Sequence, residues 1–198
     1  MKPLIVGISD CRVSADPEVS LVTYALGSCI AVMVYEPVRK VGGMLHYMLP
    51  DSSLDQSKAA QNPYMFGDTG IPRLFEQVRG QGANSKSLVV RLAGGAQVLD
   101  KQNVFEIGRR NYLAAKKALW KLGLFVSSEA VGGEISRTVR LDMSTGKSWL
   151  REGGRPESEF AERRASHSVP QAGKPLAAAR PAPASSISAR GDLWDSGF

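Results

Sequence analysis

"LGSCIAVMVYEPVRKVGGMLHYML", residues 26–49, is the stretch of the sequence that decides the fold. Two apolar runs, at 30–36 and 41–49, flank a short polar segment, and this pattern predicts two antiparallel strands joined by a four-residue loop. The first run follows Cys29 and the second contains His46, in a chain that has only 2 Cys and 2 His. The stretch therefore allows two interpretations: a nucleophile beside its base, or two residues that fill a core.

The register of the predicted hairpin decides whether Cys29 and His46 can meet. With a four-residue loop, His46 faces Ala31 on the neighbouring strand. Because side chains alternate along a strand, Cys29 then shares the face of Ala31 and is a diagonal neighbour of His46, about 7–8 Å away at the backbone. A loop one residue longer or shorter would place the two side chains on opposite faces.

The residues before Cys29 predict how its backbone is used. Gly27 has access to backbone angles that other residues avoid, and a bend there would turn the N–H of Cys29 and of a neighbour inward. We expect the backbone of Gly27, Ser28 and Cys29 to form an oxyanion hole. Residue types alone nevertheless favour a core role, because free cysteine is among the most buried residues. Cys11, in a polar stretch, and His167, in the tail, are less suited to chemistry.

Length and composition limit the classes of protein that fit. A chain of 198 residues, 43% of them hydrophobic, can bury the core of one ordinary domain. The N-terminus does not have the pattern of a signal peptide, and no apolar stretch reaches the roughly 20 residues that span a bilayer. We expect a monomeric, cytoplasmic protein without membrane insertion. Two Cys without C-x-x-C spacing argue against a metal site.

The net charge of +6 lies entirely before residue 152, because the rest of the chain has six basic and six acidic residues. Part of the excess lies on one predicted helix: Arg109, Arg110, Lys116, Lys117 and Lys121. This face is either simply solvated or attracts an acidic partner. We expect no nucleic-acid partner, because the charges do not alternate with aromatic residues as a base-stacking platform.

The composition changes near residue 151 and divides the chain in two. Residues 1–151 predict one folded domain, whereas residues 152–198 hold five of the 11 prolines and many Ala and Ser residues. This tail has too little apolar surface to offset the entropy of ordering, which predicts disorder. Its last eight residues, GDLWDSGF, are either a frayed terminus or a short peptide that docks on a partner.

Periodicity predicts more strands than helices in residues 1–151. Helices are expected from Thr69, as the N-cap, to Arg79 and from about 108 to 122, with a polar loop at 50–68. Besides the hairpin, strands are expected at 4–13, 19–24, 87–93, 124–131, 136–142 and 147–151. Strands that arrive in hairpins do not suit a doubly wound fold, so we expect an α/β layered sandwich with mixed or mostly antiparallel sheets.

Several short motifs extend across residues 4–150. Around the hairpin they are Thr23, Leu26-Gly27-Ser28-Cys29, Gly42-Gly43-Met44, His46 and Met48-Leu49-Pro50. Farther on they are DTGIPRLF at 68–75, Gly-Gly-Ala at 94–96, IGRRN at 107–111, SRTV at 136–139 and Ser144-Thr145-Gly146. Together these motifs resemble the chemoreceptor glutamine deamidase family, CheD, and the segment from the cysteine to the histidine is the most specific part of the resemblance.

The resemblance implies a fold like that of the deamidating toxins of the cytotoxic necrotizing factor type. It implies that Cys29 is the nucleophile, His46 the base and acid, and Thr23 the group that orients His46. The implied substrate is a glutamine on the cytoplasmic helices of a chemoreceptor, and some relatives also hydrolyse receptor glutamate methyl esters. The phosphatase CheC is an implied partner, and no cofactor is needed.

A glutamine on a helix requires a shallow groove instead of a deep pocket. Tyr64, Met65 and Phe66 either form one wall of that groove or pack into the core. The main alternative function is a binding module that docks CheC or a receptor without catalysis, and a further one is a cysteine hydrolase with another substrate. The presence of Cys29, His46 and Thr23 together disfavours the binding module.

Overall fold

The computed structural model describes residues 1–97 and 106–160. The strands are β1 (Lys2–Ile5), β2 (Asp10–Ser14), β3 (Val19–Leu26), β4 (Ile30–Glu36), β5 (Val41–Tyr47), β6 (Val89–Gly94), β7 (Val126–Val131), β8 (Arg137–Asp142), β9 (Ser148–Glu152) and β10 (Ser158–Glu159). The α-helices within the described residues are α1 (Gln56–Gln61), α2 (Gly67–Gly80) and α3 (Ile107–Lys121).

The strands form two five-stranded sheets. The first has the order β1-β3-β8-β9-β10 and the second the order β2-β5-β4-β6-β7. The pairs β1–β3 and β6–β7 are parallel, and the other pairs are antiparallel, so both sheets are mixed, as the sequence predicts. No helix in the described ranges is long and apolar enough to cross a membrane.

Two apolar cores make the second sheet the middle of three layers. One core lies between the sheets, with side chains from both: Leu21, Leu26, Val139 and Leu141 of the first sheet and Ala31, Met33 and Met44 of the second. The other lies between the second sheet and the helices: Ile30, Val32, Leu45, Ile71, Leu74 and Leu119. β4 therefore sends alternate side chains into different cores, which explains why its sequence is apolar without interruption.

The β4–β5 hairpin has the predicted register. Glu36 pairs with Val41, and Ala31 pairs with His46, so the loop has four residues. The Glu36 carboxylate fixes this loop by accepting hydrogen bonds from the N–H groups of Val38 and Arg39 at 3.2 and 2.6 Å. Burial opposes ionisation of Glu36, but these bonds and one from the Ser87 hydroxyl outweigh it and lower its pKa. A charged Glu36 thus holds the register on which the site depends.

Two predicted elements differ from the structure. The single strand expected at 4–13 is split into β1 and β2, which belong to different sheets, because the chain turns at Ser9 with a left-handed φ of 57°. The helix expected to begin after Thr69 already begins at Gly67, and the Thr69 hydroxyl donates to the Pro63 carbonyl instead of capping. The polar loop before it contains α1, whose first turn is capped by Asp55.

Strand pairing continues past the predicted boundary at residue 151. β10 pairs with β9, and the N–H of Phe160 donates to the carbonyl of Ser148 at 2.7 Å. The Phe160 side chain is 7% exposed and packs in the core between the sheets. The boundary and the disordered tail stay predictions, and the rest of that tail, including GDLWDSGF, lies outside the described residues.

Phe160 should therefore contribute to stability even though it lies in the segment predicted to be a tail. We expect Phe160→Ala in the full chain to lower the free energy of unfolding by about 3 kcal/mol, since it removes a buried aromatic ring. The matched control is Phe125→Ala, at a side chain that is 84% exposed, which should change it by less than about 0.5 kcal/mol. Urea unfolding of the two variants gives the comparison, and equal effects would contradict the packing of Phe160.

Candidate active site

The candidate site lies where the chain crosses from the first sheet to the second. β3 belongs to the first sheet and β4 to the second, so Gly27–Cys29 make the crossing. A shift in the β3–β8 register between Thr23 and Leu26, with Ala25 at a left-handed φ of 54°, bends the chain before the crossing. The chain also bends at Gly27, Ser28 and Cys29, as the sequence predicts, so the bulge in β3 adds to the turn at the glycine.

Cys29 and His46 lie on the face of the second sheet that packs against the first. His46 is directly opposite Ala31, and Ala31 and Cys29 both pack in the core between the sheets. The regular β4–β5 ladder ends at the pair of Ile30 and Tyr47, so Cys29 lies just beyond it. His46 is only 1% exposed, whereas Cys29 is a half-buried free thiol. The structure thus brings the two predicted residues to the same side of the sheet.

Thr23 determines which nitrogen of His46 carries the proton. The Thr23 hydroxyl donates to the carbonyl of Val6 at 2.7 Å, and its oxygen lies 2.8 Å from Nδ1 of His46. A threonine hydroxyl has one hydrogen, which is already used, so Nδ1–H of His46 must be the donor in the second bond. The neutral ring therefore has its lone pair on Nε2. Thr23 belongs to β3 and His46 to β5, so this bond also joins the two sheets.

The Nε2 atom of His46 is buried and has no hydrogen-bond partner among the described residues. Leaving a buried acceptor unpaired costs about 1–3 kcal/mol, so the fold maintains this lone pair at a cost. Burial also lowers the pKa of His46 to about 4. At neutral pH the imidazole is therefore uncharged, and its lone pair is free to accept a proton.

Burial has the opposite effect on the pKa of the Cys29 thiol. It raises the pKa of the Cys29 thiol, and the backbone N–H of Cys29 offsets part of that rise. With His46 neutral as well, the resting pair is a thiol and an imidazole, not an ion pair. Reactivity therefore requires that the proton leaves the sulfur as the new bond forms. Within residues 1–97 and 106–160, no three His, Cys, Asp or Glu residues lie together in a cluster that could hold a metal ion.

The carbonyl groups of the crossing segment, Gly27–Cys29, all accept hydrogen bonds from residues that follow β6 or belong to α3. Two N–H groups of the loop 94–96 donate to Gly27 and Cys29, both at 2.8 Å, and Nδ2 of Asn111 donates to Ser28 at 2.9 Å. In a planar trans peptide the carbonyl and the next N–H point in opposite directions. The N–H of Ser28 therefore points away from the loop 94–96, and the N–H of Cys29 points away from Asn111.

The Gly-Gly-Ala motif is explained by close backbone contact with the crossing segment. Gly94 has a φ of 112°, and a Cβ atom there would lie 2.1 Å from the carbonyl oxygen of Cys29. A Cβ atom on Gly108, in the first turn of α3, would lie 2.4 Å from the carbonyl oxygen of Gly95. These positions accept only glycine, so the motif lets β6 and α3 approach the turn that carries the thiol.

The predicted groove residues lie at different depths. Phe66 is fully buried and pairs with Leu49 in an isolated bridge, so its prediction as a groove wall is wrong and the core alternative is confirmed. Tyr64 packs at the edge of the core beneath the helices, and its hydroxyl accepts from Nε2 of Gln77 at 2.5 Å. Met65 is half-buried. A wall formed by Tyr64 and Met65 stays a prediction.

Comparison with known proteins identifies the family. A family profile described as CheD chemotactic sensory transduction matches residues 48–152. A probable chemoreceptor glutamine deamidase CheD of Solibacter usitatus is 57% identical over 78% of this chain and 92% of its own length. The chain belongs to the CheD family. Another CheD relative, of Syntrophus aciditrophicus, is 52% identical over 81% of this chain and 100% of its own.

The profile match to the CheD family begins just after the residues of the candidate site. Thr23, Cys29 and His46 all precede residue 48, whereas Asn111 lies inside the matched range. The IGRRN motif by itself suggests no role for Asn111. One sequence feature does point to it: this amide lies on the apolar face of an amphipathic helix, beside Gly108 and Ala115. A polar side chain buried on such a face requires hydrogen-bond partners.

Alkylation should distinguish the two thiols of this CheD-family chain. We expect Cys29 to react with iodoacetamide at least about tenfold faster than Cys11 near pH 8, since Cys11 is more buried and less acidic. Burial, followed by the Asp10 carboxylate, raises the pKa of Cys11 to about 12 against a smaller effect of Arg12. Peptide mapping by mass spectrometry measures both rates, with Cys29→Ser as the control, and equal rates would contradict the assignment.

The pH dependence of catalysis should report the buried imidazole. A histidine works as a general base only when its ring is neutral, so a base role for His46 predicts that kcat/KM is lost on acidification with an apparent pKa of about 4. It should stay level from pH 5.5 to 7.5, roughly the range between that value and the ionisation of the thiol. A pH–rate profile measures this directly. An acid limb centred near the ordinary histidine value of about 6.5 would contradict it.

Proposed function

We propose that the chain is a cysteine-dependent protein-glutamine deamidase that converts glutamine side chains of chemoreceptors to glutamate. One observation carries the proposal: Thr23 holds Nδ1–H of His46, while the bare Nε2 is buried on the face where Cys29 lies. A vacant base beside a thiol is what attack on an amide needs. The names of the related CheD proteins, chemoreceptor glutamine deamidases, supply the substrate class.

The chemistry follows from two neutral groups. Nε2 of His46 takes the proton of Cys29 as the sulfur bonds to the carboxamide carbon, and the carbonyl oxygen becomes negative. The N–H groups of Ser28 and Cys29 receive that oxyanion. The imidazolium returns its proton to the nitrogen, the C–N bond breaks, ammonia departs and a thioester remains. Water, deprotonated by the same Nε2, attacks the thioester, and the sulfur recovers a proton from His46 as glutamate is released.

Thr23 suits a transient imidazolium better than a stable one. Its oxygen carries no formal charge, so it orients the ring without the attraction that an aspartate would add. This agrees with a His46 pKa of about 4, which burial keeps low. The positive ring therefore persists only while the oxyanion balances it. We expect Thr23 to act through ring orientation and tautomer rather than through charge.

The surface of α3 supports approach to an acidic helical substrate. Arg110, Lys117 and Lys121 are exposed there, and Trp120, 77% exposed, lies among them. An aromatic residue therefore does lie within the basic face, contrary to the sequence interpretation. These charges lie across the second sheet from Cys29 and His46, so they would favour the approach of an acidic partner at long range instead of contacting the reacting glutamine. The steering effect should weaken as salt is added.

The finer implications of the resemblance belong to the same proposal. They are hydrolysis of receptor glutamate methyl esters, which is open to the same thioester route, regulation by the phosphatase CheC, and action as a monomer in the cytoplasm. Kinship of the sandwich with the toxins of the cytotoxic necrotizing factor type is also inferred. Each extends the resemblance and needs its own measurement.

A single assay tests the proposed function. The full chain is incubated with a purified chemoreceptor cytoplasmic fragment, and the fragment is mapped by mass spectrometry. A gain of about one mass unit at a glutamine, or about three in ¹⁸O-labelled water, is expected for hydrolysis. Binding without a mass change would overturn the enzyme in favour of the docking module. Neither binding nor a mass change would overturn the receptor as substrate and favour another target for the thiol.

A further inference from the structure

We infer that Asn111 is a positioning residue of the site, whose side-chain amide fixes the nucleophile turn relative to the strand that carries the base. The inference rests on the proposed function. Both hydrogens of its Nδ2 are used: one goes to the carbonyl of Ser28 and the other to the carbonyl of Met48, each at 2.9 Å. Ser28 directly precedes the nucleophile, and Met48 lies two residues after His46.

The position of the Asn111 side chain satisfies its two N–H donors but not its oxygen acceptor. Asn111 is fully buried, and its Oδ1 has no partner among the described residues. An unpaired buried oxygen costs about 1–3 kcal/mol, which an apolar residue would avoid. The two N–H donors are therefore what this position requires. The other two carbonyl groups of the turn, those of Gly27 and Cys29, accept from backbone N–H groups of the loop 94–96, so Asn111 supplies the one side-chain hydrogen bond to these carbonyls among the described residues.

The helix holds Asn111 rigidly in this place. The hydroxyl of Tyr47, the residue after His46, donates to the backbone carbonyl of Asn111 at 2.5 Å. One turn earlier, Gly108 is in close contact with the backbone of Gly95. The position of Asn111 thus depends on contacts separate from those of its own side chain. A change confined to the side chain should alter the turn without displacing α3.

Loss of the amide should change two properties of Cys29. The Ser28 carbonyl would be free to rotate, and the N–H of Cys29 would rotate with it, away from the sulfur and from the oxyanion position. The distance between the turn and the histidine strand would also no longer be fixed. An error of about 1 Å in such geometry can lower a rate by about 100-fold. Substrate affinity should change little, because Asn111 is buried away from the surface.

The test compares Asn111→Ala with Leu119→Ala, which removes a buried side chain from the same helix but leaves the amide and the contacts that hold it in place. We expect Asn111→Ala to lower kcat about 100-fold with KM changed less than about threefold. It should also raise the pH at which alkylation of Cys29 is half-maximal. Leu119→Ala should lose stability while keeping both properties. The thiol titration needs no substrate, so it decides the role of Asn111 even if no receptor glutamine reacts.

Three results would overturn the inference. The first is a folded Asn111→Ala variant with the kcat and thiol titration of the parent chain. The second is equal loss of activity in both variants in proportion to lost stability, which would indicate a purely structural role. If the alanine variant does not fold, Asn111→Ser provides the comparison, because its single hydroxyl hydrogen can serve only one of the two carbonyls. The third result is that Asn111→Ala and Asn111→Ser both fail to fold.

Discussion

Cys29→Ala is expected to abolish deamidation of a chemoreceptor fragment, with a loss of at least about 10⁴-fold in kcat. The reason is that no other group in the site can form the thioester. His46 only accepts and returns a proton, and Thr23 has its single hydrogen committed to Val6. Mass spectrometry of the fragment after long incubation measures the loss, because the product differs from the substrate by about one mass unit.

The fold should tolerate this change, which makes the result interpretable. The thiol is half-buried and lies at the edge of the core between the sheets, so its loss leaves a small cavity. Cys11→Ala is the matched control, since that thiol lies in the other core and should leave kcat unchanged. Residual turnover in Cys29→Ala close to that of the parent chain would refute a covalent mechanism. Retained binding of the fragment by the inactive variant would support it.

His46→Ala is expected to lower kcat by at least about 10³-fold while the domain stays folded. Without Nε2, the thiol with its raised pKa has no acceptor for its proton. Ammonia also has no proton donor at the moment it leaves. Circular dichroism and urea unfolding establish that the variant is folded. Activity within tenfold of the parent chain would remove His46 from the mechanism.

Acid stability gives a second readout of the same substitution. The folded pKa of His46, about 4, is below the ordinary value of about 6.5, so the unfolded chain binds the proton first as the pH falls. Stability from this group is complete above pH 6.5 and is lost as the pH falls through about 4, by up to about 1.4 kcal/mol per pH unit. His46→Ala should remove that part of the acid sensitivity. Thr23→Val, which keeps the imidazole, should retain it.

The hairpin and the position of its two reactive residues are predictable from local pattern. Uninterrupted apolar runs and a four-residue loop fix the register, and the pairing of Ala31 with His46 follows from it. The division of strands between the two sheets is not predictable in this way. It depends on turns at Ser9 and Ala25, where residues other than glycine adopt positive φ. Such angles are imposed by tertiary contacts, and the sequence carries no signal for them.

The candidate site shows the same division between local and long-range information. Cys29 and His46 belong to one hairpin, so sequence spacing brings them together. Thr23 is identified only through the resemblance, because its partner lies on another sheet. Asn111 lies 83 residues from Ser28 along the chain, and no periodicity connects them. The protonation states of Cys29 and His46 also depend on burial by both sheets, which spacing along the sequence does not show.

The bond between Thr23 and His46 bridges the two sheets, and this has a consequence for the chain during synthesis. Until both sheets have docked, the imidazole has no fixed tautomer and is not buried, even though the hairpin already brings it to the side of the thiol. A newly made or damaged copy therefore lacks the oriented, neutral base that the proposed attack on an amide needs. The bond that orients His46 forms only when the two sheets have docked, so only a fully folded chain has the complete site.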